Sequence, residues 1–174
     1  MKPRDKETVL DLDGYLDLGC VLIPQMNNLE VRVDYGTGTL IPKLIILELP
    51  HSSISLQVFA AARYEDHWPQ LRDDIVNSLT AQGVEINVEL GSFGTEIHSV
   101  MPTVDVSGAS VIAPVRLLAV NGDRWYVRVV ISGDGAITGE RSREVDELIS
   151  QLVIHRGQDA MSPGEALPIV LPAS

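Results

Sequence analysis

A chain of 174 residues with a 45% hydrophobic fraction has the size of one domain and can fill a core without disulfides or metal. Its 13 Lys and Arg against 24 Asp and Glu give a formal charge of −11, a surface that repels phosphate backbones and anionic lipid, so neither nucleic-acid nor membrane partners are expected. The single cysteine, Cys20, allows no internal disulfide; with a charged N-terminus and no run near the ~20 apolar residues of a membrane helix, the cytoplasm is the expected location.

Residues 1–14 read as a polar tail. Tyr15 to Ile23 then reads as one strand, stopped by Pro24 and the Asn27-Asn28 turn signal. Leu29, Val31, Val33 and Tyr35 alternate with Glu30, Arg32 and Asp34, the period of a strand with one wet face. Gly36-Thr37-Gly38 turns the chain into an apolar, β-branched strand over Leu40 to Leu49, weakened at its start by Pro42. After a turn at Pro50 to Ser53, Ile54, Leu56, Val58 and Ala60 alternate with Ser55, Gln57 and Phe59. These segments predict an antiparallel meander.

The period changes after Tyr64. Trp68, Leu71, Ile75 and Leu79 recur at helical spacing, with Asp66 as N-cap, Pro69 in the first turn and Gly83 at C′. Val84, Ile86, Val88 and Leu90 form another alternating strand. A tight loop at Gly91-Ser92-Phe93-Gly94 leads to its partner over Thr95 to Met101, and Thr103 to Ser110 reads as an exposed loop. Val111 to Val120 and Trp125 to Ile131 flank Asn121-Gly122-Asp123, the strongest hairpin signal in the chain.

A glycine-rich connection, Gly133 to Gly139, precedes a second helix over Arg143 to Gln151 capped by Ser142. Val153 to Arg156 either finishes that helix or forms a short edge strand. From Gly157 the chain reads as an extended tail packed on the domain, with Ile169, Val170 and Leu171 as its anchors. The expected organisation is a single α+β domain over 15–156 between tails at 1–14 and 157–174. Its architecture is an antiparallel β-sheet covered by two main helices, an α/β/α-type sandwich.

Motifs for catalysis are sparse. Gly133 to Gly139 lies between a strand and a helix, as phosphate-binding loops do, but it lacks G-x-G-x-x-G spacing and any Gly-Lys-Ser/Thr, and Asp134 and Glu140 would repel phosphate. Glu96 and His98 share one strand face, two ligands without a third, so no metal site is expected. Cys20 has no basic neighbour to activate it, and no serine lies in a G-x-S-x-G elbow. Phe93 at a loop tip reads as a contact residue, and Trp68 as a core or edge anchor. The best binding candidate is the hairpin after Val111. There Arg116, Arg124, Tyr126 and Arg128 are expected to gather, the last three on one face opposite Trp125, Val127 and Val129. Such a group suits a carboxylate, a phosphate or an acidic partner segment, whereas cross-strand pairing with Asp and Glu is the plainer expectation.

Several segments together resemble a bacterial family catalogued as domain of unknown function 3710. They are Leu16-Asp17-Leu18-Gly19 through Ile23-Pro24, Leu56 to Arg63, Trp68 with the helix after it, Gly94-Thr95-Glu96, Gly122 to Arg128, and Leu167-Pro168-Ile169. The resemblance spans about Tyr15 to Pro172 and implies a fold-sized unit without an assigned activity. The element order is also similar to the Mog1/PsbP-like sandwich, which implies an accessory or binding role by fold analogy alone. The function expected is therefore a non-catalytic, cytosolic protein- or ligand-binding module without a cofactor, with another protein or a small anionic ligand as partner. An enzyme whose site is assembled from distant residues, and a small-molecule binder with an apolar cavity, are the alternatives.

Overall fold

Strict alternation builds the larger of two sheets. The computed structural model describes residues 2–63, 65–104 and 107–172. In chain order its strands are β1 (Arg4–Asp5), β2 (Tyr15–Asp17), β3 (Val21–Pro24), β4 (Glu30–Asp34), β5 (Leu44–Glu48), β6 (Ser52–Ala60), β7 (Ile86–Gly91), β8 (Gly94–Val104), β9 (Ser110–Asn121), β10 (Trp125–Gly133) and β11 (Val153–Ile154). The helices are α1 (Trp68–Ala81) and α2 (Glu140–Ser150). Seven strands form one antiparallel sheet in the order β4-β5-β6-β10-β9-β8-β7, and four short ones form a second sheet, β1-β11-β3-β2. The fold is α+β, as the mixed periodicities predict.

Every second side chain along β6 and β10 is buried, so one face of the main sheet is core. That face carries Ile45, Leu47, Ile54, Leu56, Val58, Leu118, Val120, Trp125, Val127, Val129 and Ile131. Against it pack Val145, Leu148, Ile149 and Leu152 at helical spacing on and just after α2, with Val21, Ile23 and Ile154 of the small sheet. Burial of one such side chain stabilises the fold by roughly 1.5–3 kcal/mol. α1 lies on the opposite face, over a smaller cluster in which Trp68 meets Ile97, Leu117 and Ala119, with Leu71, Ile75 and Val76 half-buried beside them. Each face thus has a helix, but α2 shares its face with a whole second sheet.

Several boundaries differ from the sequence expectation for local reasons. The run Tyr15 to Ile23 is a hairpin, not one strand: the Asp17 carboxylate accepts the Gly19 N–H at 2.8 Å, and Gly19 adopts φ +85°. This Asx-type turn folds β2 onto β3 in the small sheet. Val153–Ile154 is no edge strand, since β11 sits between β1 and β3. Strand pairing continues through Thr103↔Val111 and Val104↔Ser110, which shortens the expected loop at 103–110; Asp105 and Val106 of that loop lie outside the described residues. His67, not Asp66, is the N-cap of α1, while the Asp66 carboxylate accepts the Trp68 N–H at 3.1 Å. α2 begins at Glu140 after Gly139, and Ser142 is its third residue, with Oγ accepting the Gly139 N–H at 2.9 Å and donating to the Gly139 carbonyl at 2.8 Å. Phe93 is not exposed but packs partly buried against the main core.

Both terminal segments are stitched to the sheets. β1 runs parallel to β11, and the Trp125 indole N–H donates to the Asp5 carboxylate. β5 pairs only with the first half of β6, and the C-terminal segment continues that line. The Ala60 N–H donates to the Glu165 carbonyl at 2.8 Å and the Leu167 N–H to the Val58 carbonyl at 2.9 Å. Leu167 is the buried anchor, Ile169 packs half-buried, and Val170 and Leu171 are exposed.

Cys20 lies in this joint, in the main core, and burial pushes its thiol up to about 12. The thiolate is the nucleophile, so Ellman's reagent at pH 8 should leave the native protein unlabelled and label one thiol per chain in denaturant. Rapid labelling of the folded protein would contradict this burial.

Candidate functional site

The β9–β10 hairpin carries all four candidate residues but divides them among three places. Cross-strand register sets Tyr126 beside Asn121 and Phe59, Arg128 beside Ala119 and Gln57, and Arg116 beside Ile131 and His98. Since successive side chains alternate faces, Tyr126 and Arg128 stand on the α1 face and Arg116 on the core face. Arg124 lies in the turn before β10 with φ +65°. Its carbonyl accepts the Ala61 N–H at 2.8 Å and the Arg156 Nε–H at 3.1 Å, so it fastens the hairpin to the C-terminal segment. Tight packing explains the turn's glycine: a Cβ on Gly122 would fall 2.0 Å from the Trp125 ring.

Tyr126 is the middle ring of a stack of three. Phe59 lies 5.0 Å away at 20° on one side and His67 5.3 Å away at 29° on the other. Burial raises the Tyr126 phenol above its ordinary value, against the pull of Arg128. The Arg128 guanidinium has no ion pair or hydrogen bond among the described residues. Nearby, His67 Nε2 and Asn121 Oδ1 are buried atoms without a hydrogen-bond partner there, the Glu65 carboxylate standing 3.8 Å from His67. Asn121 is held by its other end, its Nδ2 donating to Asp66 at 2.7 Å. Buried polar atoms are nearly always paired in folded chains, and this half-exposed row departs from that rule at two atoms, beside stacked rings and a free guanidinium. None of His67, Asn121 and Phe59 carries a sequence signal for this site; strand register brings Asn121 and Phe59 to Tyr126, and the N-terminal end of α1 brings His67.

On the opposite face Arg116 does different work. It is 2% exposed. Its Nε and Nη2 grip both oxygens of Glu96 at 3.1 and 2.9 Å, Nη2 also meets Asp146 of α2 at 2.8 Å, and Nη1 donates to the Gly135 carbonyl at 3.1 Å. Burial opposes the charge, but Glu96 and Asp146 outweigh it and hold the guanidinium's pKa above its ordinary value. Asp146 accepts from Ser92 at 2.8 Å, and His98 sits between Glu96 at 2.7 Å and Glu89 at 3.1 Å. The Glu96–His98 pair is thus committed to Arg116. The polar hollow of about 290 Å³ above this network is lined by no buried side-chain atom that lacks a hydrogen bond.

The glycine-rich connection uses its amides internally. The Asp134, Gly135, Ile137 and Gly139 N–H groups donate to the His51 carbonyl, Ser52 Oγ, the Asp134 carbonyl and Ser142 Oγ, so these four amides are already paired within the protein. A groove of about 520 Å³, lined by Met26, Leu49, Pro50, Leu148 and charged residues of α2, borders a serine–histidine–carboxylate chain. His51 lies 2.6 Å from Ser52 Oγ and 2.9 Å from Glu144. Ser52 is buried and its oxygen already accepts Gly135, so it faces the protein and not a substrate. No cluster of three or more metal-type ligands occurs among the described residues. No helix among them is long and apolar enough to cross a membrane.

Residues 2–174 match the family model described as "Protein of unknown function (DUF3710)", and the chain belongs to that family. No curated protein matches it. A crystal structure from Bacteroides thetaiotaomicron is similar at TM-score 0.44 and 11% identity, over 77% of this chain and 44% of that one. The chain therefore spans less than half the length of that protein.

Two predictions follow from the charged clusters. Arg116→Met strands two buried carboxylates and should cost about 3–5 kcal/mol in urea unfolding, while adding Glu96→Leu and Asp146→Leu should recover most of the loss; an additive decline through the triple variant would contradict the desolvation argument. At the rim of the groove, the Arg141 hydrogen bond, with the charges of Arg141 and His51, holds the Glu144 carboxyl below its ordinary 4.5, against slight desolvation. A carboxyl with a depressed folded pKa stabilises the fold above its unfolded pKa and loses that contribution as pH falls through the folded one. The difference in Tm between wild type and Glu144→Gln should therefore be small, present at pH 7, and closing below pH 4.5. A difference that widens toward low pH would reverse the assigned sign.

Proposed function

We propose that this chain is a non-catalytic, cytoplasmic binding module that docks a protein partner on the outer face of its main sheet, centred on Tyr126 and Arg128. The observation that carries the proposal is the row Phe59–Tyr126–Asn121 with His67 stacked above it. There, two buried polar atoms lack hydrogen bonds beside a guanidinium that lacks a counter-ion. A carboxylate of the partner pairs with Arg128, bidentately where geometry allows. The ring stack of Phe59, Tyr126 and His67 supplies flat apolar contact. Tyr and Arg are the residue types that dominate protein interfaces.

The shape of the surface favours a macromolecule. α1 packs on β7, β8 and β9, which leaves the outward side chains of β5, β6 and β10, among them Ile46, Ser55, Gln57 and Val130, half-exposed. That is an open face and not a cleft, and small molecules favour clefts that enclose most of their surface. Arg116 and Arg124 then serve the surface indirectly, the first by fixing β8 and β9 to α2, the second by fixing the turn. An acidic partner segment also suits the site, because Arg128 is a local positive centre in a chain of charge −11.

The test is capture from native extract with tagged wild type, Arg128→Glu and Tyr126→Ala, all folded by circular dichroism, followed by mass spectrometry. A stoichiometric protein held by wild type should be lost from both variants, each weakened by about thirtyfold or more, the scale of an interface hot spot. Arg32→Ala, on the same face but paired to Glu48 at 2.7 Å, should retain it. Equal capture by wild type, Arg128→Glu and Tyr126→Ala would overturn the proposal.

A further inference from the structure

The two edges of the main sheet are built differently. β4, at one end, points Glu30, Arg32 and Asp34 outward, the charged blunting expected of an edge that stays unpaired. β7, at the other end, is exposed over its four middle residues and carries Val88 at 48% and Leu90 at 83% exposure. The loop that joins β7 to β8 has two residues, so Gly91 and Gly94 close the hairpin as a pair. Hydrogen-bonded and non-hydrogen-bonded pairs alternate from there. Glu89 and Asn87 therefore turn their backbone groups toward β8, and Ile86, Val88 and Leu90 turn theirs outward. No backbone bond leaves these outward groups among the described residues.

We infer that the β7 edge pairs antiparallel with β7 of a second copy of this chain, about a two-fold axis at Val88, and so extends the main sheet across a dimer. Three constraints select this occupant and this register. A two-fold normal to a continuous sheet must pass through a residue, because only then do side chains opposite one another share a face. Centred on Val88, the pairing sets Val88 opposite Val88, Ile86 opposite Leu90, Asn87 opposite Glu89 and Glu85 opposite Gly91, with no like charges facing. Centred one residue earlier it sets Glu85 against Glu89, and one residue later Glu89 against itself, each a like-charge pair that destabilises a sheet. The same centre also brings the outward amides and carbonyls of Ile86, Val88 and Leu90 into register with their copies. Centred instead on Ile86 or Leu90 the two copies overlap over fewer residues of β7 (Ile86–Gly91), so the Val88 alignment satisfies backbone, apolar contact and charge over the longest pairing, and the contact is isologous, as in most homodimers.

This proposal concerns a different surface from the Tyr126 face and stands or falls independently of it. Sedimentation equilibrium of the full chain over a micromolar concentration series should show a monomer–dimer equilibrium. Val88→Lys sets two lysines against each other at the axis and should move the dissociation midpoint up by about tenfold or more. Val88→Glu should do the same, and an equimolar mixture of the two variants should dimerise again, because lysine then faces glutamate at the axis. Where either Val88 variant fails to fold, Leu90→Ser should weaken the dimer at a side chain already in solvent. The proposal is overturned by a wild type that stays monomeric throughout, by a dimer unchanged in folded Val88→Lys or Leu90→Ser, or by folded mixed variants that remain monomeric.

Discussion

A guanidinium in a protein core must be surrounded by acceptors or it cannot be there, and Arg116 organises this fold on that condition. Its donors reach Glu96 on β8, Asp146 on α2 and the Gly135 carbonyl in the connection between β10 and α2. One side chain thus fixes the approach of α2 to the sheet near the middle of the helix, while Val145, Leu148 and Ile149 fix it by packing. Apolar burial supplies most of the free energy but is indifferent to small slides of a helix over a sheet. The bidentate grip on Glu96 is not indifferent, and a displacement of α2 would strand a charge. Ser92 and His98 extend the constraint to the β7–β8 hairpin, so the strand that forms the sheet's exposed edge is held by the same network.

The unequal covering of the two faces follows from this arrangement. α2, the small sheet and the terminal segments crowd one face, and that core includes most of the large buried side chains. α1 contributes only Trp68 as a buried residue and covers the β7–β9 half of the other face. The β5, β6 and β10 half is left to side chains of middling polarity: Ser53, Ser55 and Gln57 beside Ile46, Val130 and Tyr126. An antiparallel sheet can keep one face in water, so this opening costs the fold little. It also leaves the row at Tyr126 uncovered by any helix.

The elements were legible wherever one periodicity ran without interruption. β4, β6, β7, β10 and α1 follow their alternation or helical spacing because each has one wet face and one dry one. The small sheet was not legible. Its strands are two to four residues long, too short for a period to show, and Asp17 and Gly19 disguise a hairpin as one hydrophobic run. The candidate residues were legible as chemistry and not as geometry. Alternation alone places Tyr126 and Arg128 together, but Arg124 leaves the strand through a positive φ, and whether Arg116 shares a face with Arg128 depends on a register that no local signal states. His67 and Asn121, which give the Tyr126 row its unfilled valences, reach it from α1 and β9 and could only be found in three dimensions.

Those unfilled valences separate the polar clusters of this chain into two kinds. Around Arg116, and in the chain Glu144–His51–Ser52–Gly135, each buried donor meets an acceptor, so adding a ligand would break a bond for every bond it made. Such clusters hold a fold together, even when, like the second, they imitate the order of a catalytic triad. Beside Tyr126 the accounts do not close: Asn121 Oδ1 and His67 Nε2 are withdrawn from water without a hydrogen bond, the Glu65 carboxylate at 3.8 Å from His67 being too far to make one, a loss of roughly 1–3 kcal/mol for each unsatisfied group. With no surface open to solvent, these atoms need a local shift before any donor from outside could reach them, whereas Arg128 stands half-exposed and needs none. The isolated chain bears the cost of these orphaned atoms, so the row at Tyr126 is the one of the three clusters that its own hydrogen bonds do not complete.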